Sequence, residues 1–122
     1  MLNKVCVLSV RVKDLQESID FYSNVLGFKL SKYYGDKIVS LQHNEIPIVL
    51  EEDENTIHHP MQNVFLGIQS ENLDKDIAHF KSKSVKILFD EPRPCPPGRY
   101  TIIEDPTGNQ IEIVEFSNLN EH

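Results

Sequence analysis

Two stretches of this 122-residue chain repeat one another. Asp14-Leu15 and Asn72-Leu73 each set a short polar side chain before a leucine, 58 positions apart (72 − 14). At that same spacing Ile19 matches Ile77 and Tyr22 matches Phe80. Further on, Ile48-Val49-Leu50-Glu51-Glu52 matches Ile111-Glu112-Ile113-Val114-Glu115 at a spacing of 63 (111 − 48). The five extra residues (63 − 58) fall in the proline-rich run EPRPCPPG, residues 91–98. A repeat of this length implies two similar supersecondary units, neither able to bury its sheet alone. The expected organisation is a single domain, residues 1–122, with module one at about 1–58 and module two at about 62–117.

Each unit reads in the same order. From Leu8 to Val12 apolar and polar residues alternate, which predicts a half-buried strand within residues 5–12. Asp14 then stands at a helix N-cap, with Glu17 three residues later in a capping-box-like pattern. Leu15, Ile19, Phe21, Tyr22, Val25 and Leu26 make one apolar helical face, and Gly27 is placed to end that helix. Strands are expected at 28–34, 37–42 and 46–52, with a turn at Gly35-Asp36. A polar loop covers 53–62. In the second unit Val64, Leu66 and Ile68 alternate with Phe65, Gly67 and Gln69. Asn72 caps a helix whose apolar face is Leu73, Ile77, Phe80 and Val85. Strands follow at 86–90, 100–104 and 110–116, the last two joined by the turn Asp105-Pro106-Thr107-Gly108-Asn109. The last six residues read as a frayed tail.

Composition narrows the class. Hydrophobic residues are 39% and charged residues 25%, the balance of an ordinary globular domain. The formal net charge of −7 disfavours nucleic acid and anionic membrane surfaces as partners. No apolar run nears the roughly 20 residues that span a bilayer. The start of the chain has no signal-peptide pattern, and the expected location is cytoplasmic. Two cysteines, Cys6 and Cys95, without CxxC spacing read as free thiols. Phosphate-binding and hydrolase motifs of the GxxxxGK[ST] and GxSxG kinds are absent from the sequence.

The run VRVKDLQESIDFYSNVLGFKL, beginning at Val10, resembles the opening of vicinal-oxygen-chelate proteins. That superfamily includes glyoxalases, bleomycin-resistance proteins and extradiol dioxygenases. The run from Ile103 to Ile113, with Asp105-Pro106, Gly108-Asn109 and Glu112, is similar to the closing signature of the same superfamily. With the repeat, the likeness covers nearly the whole chain. It implies an α+β fold of two tandem βαβββ modules whose mixed sheets curve into a cup. It also implies a homodimer, and in the metal enzymes of the family a divalent ion held from the first and fourth strand of each module.

Carried over residue by residue, those ligand positions fall on Val7, Val49, Asn63 and Glu112. Two valines have no lone pair to offer, an asparagine oxygen is a weak donor, and only the carboxylate of Glu112 is retained. A transition metal needs three or more N, O or S donors, so no metal site and no cofactor are expected.

Alternation assigns the cup face independently. If Leu8, Val10 and Val12 pack under the helix, then Val7, Ser9 and Arg11 face the cup. By the same parity Val49 and Glu51 face it, and so do Asn63, Phe65 and Gly67, with Val64 buried. Gln110, Glu112 and Val114 complete the set. The candidate ligand-binding residues are therefore Ser9, Arg11, Asn63, Phe65, Gln110 and Glu112. Arg99 and Tyr100 join them because a similar Gly-Arg-Tyr stretch lies near the substrate in relatives. Glu112 is the candidate catalytic acid–base; its bland alternative is an internal anchor. Arg11 could pair with Glu112, hold an anion, or lie at a sheet edge in water. His58 and His59, adjacent on the linker, point in different directions and read as solvated.

Three functions fit. The first is metal-free binding of a small organic molecule, as in bleomycin-resistance proteins. The second is a glyoxalase- or dioxygenase-like enzyme that uses Glu112 within an unusual metal site or as a metal-free acid–base. The third is a non-catalytic interaction protein with a collapsed cup.

Overall fold

A computed structural model describes residues 2–3, 5–56, 62 and 64–117. The chain forms two compact units, Met1–His58 and His59–His122. Each is a mixed α+β unit with one sheet and one helical segment.

In the first unit the order is β1 (Leu8–Val12), α1 (Leu15–Asp20), a π-helical segment (Phe21–Val25), β2 (Leu30–Tyr33), β3 (Ile38–Leu41) and β4 (Ile48–Glu52). The sheet runs β1-β4-β3-β2, with β1 parallel to β4 and the other pairs antiparallel. Alternation along the strands produces the core. Val12, Val39, Leu41, Ile48 and Leu50 are buried, and Leu15, Ile19, Phe21 and Tyr22 are buried on the helical segment. Burying one such aliphatic side chain contributes about 1.5–3 kcal/mol.

The helix starts where its cap predicts: Asp14 is extended and its Oδ1 accepts the Glu17 N–H at 2.9 Å. Its second half differs from the expected regular helix. After Asp20 the turn widens, so that Leu26 N–H bonds the Phe21 carbonyl five residues back at 3.1 Å. The wider turn keeps the consecutive rings of Phe21 and Tyr22 both buried, in edge contact at 5.3 Å. Gly27 then takes φ +90°, a conformation costly for any side chain, and the chain leaves the helix there.

The second unit follows the same plan with β5 (Leu66–Gln69), α2 (Leu73–Ser82), β6 (Lys86–Ile87), β7 (Arg93–Cys95), β8 (Gly98–Glu104) and β9 (Gln110–Phe116). The sheet runs β5-β9-β8-β6, and β7 also pairs with β8. Asn72 caps α2, its Oδ1 accepting Lys75 N–H at 3.1 Å. Leu73, Ile77 and Phe80 from the helix and Thr101, Ile103, Ile111 and Ile113 from the sheet are buried.

Several expectations need correction. The proline-rich run is not only a loop: Arg93–Cys95 forms a short strand against Gly98–Tyr100. Proline lacks an N–H, but Pro94 sits on an edge strand, where that lack is tolerated. The strand expected at 86–90 stops at Ile87, and β8 starts two residues earlier than expected, at Gly98. Val64 is not buried but 78% exposed, because β5 begins only at Leu66 and Val64 has no sheet beneath it. Val85 lies beyond the end of α2, and its N–H reaches back to the Phe80 carbonyl at 3.0 Å. Asn63 and the His58-His59 pair lie outside the described residues. Among the described residues, no helix is long and apolar enough to cross a membrane, and Cys6 and Cys95 are both free thiols.

Candidate functional site

The second unit carries three of the candidate residues, Tyr100, Gln110 and Glu112, on one sheet face, the one turned away from α2. Strand register arranges them in rows. Gly67, Glu112 and Ile102 are neighbours across β5, β9 and β8. Gln69, Val114 and Tyr100 form the next row, and Gln110 faces Glu104. Glu112 is half-buried, and among the described residues it makes no hydrogen bond or ion pair. A Cβ added to Gly67 would lie 3.9 Å from Glu112 Oε1, so the missing side chain leaves open space beside the carboxylate. Glu104 differs, since Lys86 Nζ stands 3.4 Å from its Oε2.

Two of the named residues are shaped by neighbours that sequence reading missed. The main chain of Gln110 is held by the Gln62 side chain: Gln110 N–H donates to Oε1 at 2.9 Å, and Nε2 donates to the Gln110 carbonyl at 3.0 Å. That amide takes the place of a strand partner before β5 begins. The Tyr100 ring stands edge-on to Phe89 at 5.9 Å, and the Arg93 guanidinium lies over the Phe89 ring at 3.6 Å. Phe65 is 42% exposed just before β5.

Arg99 is separated from this group. It shares parity with the buried Thr101 and Ile103, so it points to the α2 side of the sheet. Its Nε donates to Glu115 Oε1 at 2.6 Å, and its terminal nitrogens reach Asp74 at 3.0 and 3.4 Å. Glu115 and then Asp74 raise the guanidinium pKa further above its ordinary value. Arg99, then the Leu73 N–H, hold the Glu115 carboxyl below the ordinary carboxylate range. The parity of residues 99, 101 and 103 was the available signal.

In the first unit Ser9 and Arg11 lie on the exposed face of β1, opposite Val49 and Glu51. Arg11 Nη1 is 3.4 Å from Asp53 Oδ2 with both side chains largely in water, an ion pair of small energetic weight. Ser40, in the same row as Ser9 and Val49, turns its hydroxyl to the main chain of Lys32, where the β2–β3 register slips. Tyr33 and Tyr34 are each more than half exposed.

The fit to a divalent ion follows from these placements. Val49 on β4 and Val7, exposed just before β1, have aliphatic side chains and offer no donor. Among the described residues, no group of three or more His, Cys, Asp or Glu side chains converges. Glu112 by itself does not fit a transition-metal site.

Known proteins agree with the architecture. The family model described as Glyoxalase/Bleomycin resistance protein/Dioxygenase superfamily matches residues 4–113. Among solved structures, the chain is similar to TnmS3, an antibiotic binding protein from Streptomyces sp. CB03234. The identity is 23% and the TM-score 0.73, covering 96% of this chain and 99% of that one. It is similar to a glyoxalase/bleomycin resistance protein/dioxygenase from Alicyclobacillus acidocaldarius, with 22% identity, TM-score 0.72 and coverage of 95% and 93%. A lactoylglutathione lyase from Agrobacterium tumefaciens matches at 17% identity and TM-score 0.71, covering 93% of each chain. At such identities the structural likeness speaks for the fold, and the family match agrees with it: the chain belongs to the Glyoxalase/Bleomycin resistance protein/Dioxygenase superfamily.

Proposed function

We propose that this protein binds a small organic molecule without the help of a metal ion, and that the helix-free sheet face of the second unit supplies the main contacts. The observation that carries the reading is the chemistry of the positions matched to the family's metal ligands. Val7 and Val49 are aliphatic, while Glu112 keeps its carboxylate among Ile102, Val114 and Tyr100. A face of apolar and aromatic surface with a few polar groups suits an organic ligand. TnmS3, an antibiotic binding protein, shares this fold, which agrees with the reading.

The test has two arms. Elemental analysis of protein purified without a histidine tag should find no stoichiometric Zn, Ni, Mn or Fe. A thermal-shift screen of small aromatic compounds and antibiotics should find ligands that raise the melting temperature, because anything that binds only the folded state stabilises it. A stoichiometric transition metal that is lost in Glu112→Ala would replace this reading with a metal enzyme. A screen without any stabilising compound would remove the binding function.

A further inference from the structure

We infer that the second unit's sheet face selects an organic cation, a protonated amine carried on an apolar or aromatic body, with Glu112 as its counter-ion. This rests on the binding function proposed above and names the chemical class of its ligand.

Charge sets Glu112 apart on this face. Among the described residues Glu112 has no hydrogen-bond or ion-pair partner, although it is half-buried. Half-buried carboxylates are ordinarily paired. Glu104, on the same face, shows the ordinary outcome in its pairing with Lys86. The chain as a whole carries −7, so the long-range field also favours a cation over an anion.

Space is the second observation. Gly67 stands directly across from Glu112 in register, and its absent side chain leaves Oε1 uncovered on that flank. An ammonium group placed over Gly67 reaches the carboxylate without displacing any side chain of that strand. Third come the surroundings. Ile102 lies across the other flank of Glu112, and Val114 and Tyr100 form the next row, about 7 Å along the strands. Tyr100 is braced edge-on by Phe89. An amine separated by a short linker from an aromatic ring matches a carboxylate and a ring set one row apart, whereas an anionic ligand would meet repulsion at Glu112.

The experiment uses the full chain and matched ligand pairs, aryl-alkyl ammonium compounds such as 2-phenylethylammonium and their neutral alcohol isosteres. Affinities are measured by calorimetry at neutral pH. The wild-type protein is expected to prefer the ammonium member by about tenfold or more, the scale of a hydrogen bond to a charged group. Glu112→Gln should abolish the preference, bringing the affinity for the ammonium compound down to that for its alcohol isostere. Gly67→Leu, which fills the space beside the carboxylate, should weaken the ammonium compound more than the alcohol. Circular dichroism and melting temperature confirm that both variants fold. Equal binding of ammonium and alcohol by the wild type, or a preference that survives Glu112→Gln, overturns the inference and leaves the binding function standing. Binding of neither member of any pair, by a protein that the screen shows to bind other compounds, also overturns it. A protein that binds nothing in either experiment loses both readings.

Discussion

Glu115 Oε2 accepts the main-chain N–H of Leu73 at 2.7 Å, so the last strand of the second unit holds the first turn of that unit's helix. The first unit repeats the device, with Glu52 Oε2 accepting Leu15 N–H at 2.8 Å. In both, the other carboxylate oxygen takes a cation, Arg99 Nε of β8 at 2.6 Å and Lys37 Nζ, just before β3, at 2.9 Å. The first N–H groups of a helix have no partner within it, and a carboxylate is suited to them because the helix N-terminus carries partial positive charge. The internal repeat is thus a repeat of a bonding arrangement as well as of a hydrophobic pattern.

Glu115→Ala should destabilise the protein by about 1–3 kcal/mol in urea unfolding, since it strips a helix N–H of its acceptor and Arg99 of one of its two carboxylate partners. Arg99→Ala should cost less, because Glu115 keeps its bond to Leu73 and the guanidinium is 37% exposed. If the two variants instead cost the same, the cap contributes nothing beyond the ion pair.

Stability should fall on acidification through the same two carboxylates. The Leu15 N–H and then Lys37 lower the Glu52 pKa, as Arg99 and then Leu73 lower that of Glu115. A carboxyl whose pKa is depressed on folding contributes stability that is fully present above its ordinary value, 4.5, and is lost as pH falls through the lower folded value. Unfolding free energy measured from pH 7 downward should therefore stay level in this respect to about pH 5 and then decline. The double variant Glu52→Gln, Glu115→Gln should be less stable at pH 7 and show a shallower acid decline.

The turn between β8 and β9 should depend on Asp105. The residue is 4% exposed, and Oδ1 accepts the N–H groups of Thr107, Gly108 and Asn109 at 3.0, 3.0 and 2.8 Å. Oδ2 accepts Asn109 Nδ2 at 2.9 Å. Asp105→Ala removes the side-chain acceptor of all these bonds and should cost about 2–4 kcal/mol by chemical denaturation. Hydrogen exchange at residues 107–109 should accelerate in the same variant.

Two glycines should respond oppositely to alanine. At Gly98 a Cβ would lie 2.1 Å from the Glu115 carbonyl oxygen and 2.7 Å from Ser117 N, both main-chain atoms, so Gly98→Ala must push β8 and β9 apart. At Gly67 the nearest atom is Glu112 Oε1 at 3.9 Å, an ordinary contact. Gly67→Ala should leave the melting temperature unchanged or slightly raised, as alanine loses less chain entropy than glycine in a strand. Gly98→Ala should lower it by several degrees, a clash between main chains being costly to relax.

Much of this fold was legible from local rules. Period-two alternation gives the inward faces of β1, β4 and β9, because successive side chains leave opposite faces of a strand. Asp14 and Asn72 announce their helices, since a short polar acceptor before an apolar helical run is the simplest way to satisfy an orphan N–H. Asp105 to Asn109 announces a turn through its own hydrogen-bonding chemistry. The aliphatic character of Val7 and Val49 needs no structure to be known.

Tertiary structure decided what depends on partners distant in the chain. Val64 has the pattern of a buried strand residue but lies outside the sheet, because strand ends are set by where pairing begins. Pro94 reads as loop, yet the edge of β8 accepts it. Arg99 follows the glycine of a turn next to Tyr100, but its direction comes from the register that sets it opposite Glu115. That Glu112 has no partner among the described residues is likewise a property of its neighbours. A sequence specifies each residue's chemistry and its local period; only tertiary register settles which groups meet, as Arg99 meets Glu115 and Gln62 meets Gln110 across 16 and 48 residues of chain, and which carboxylate has no partner among the described residues.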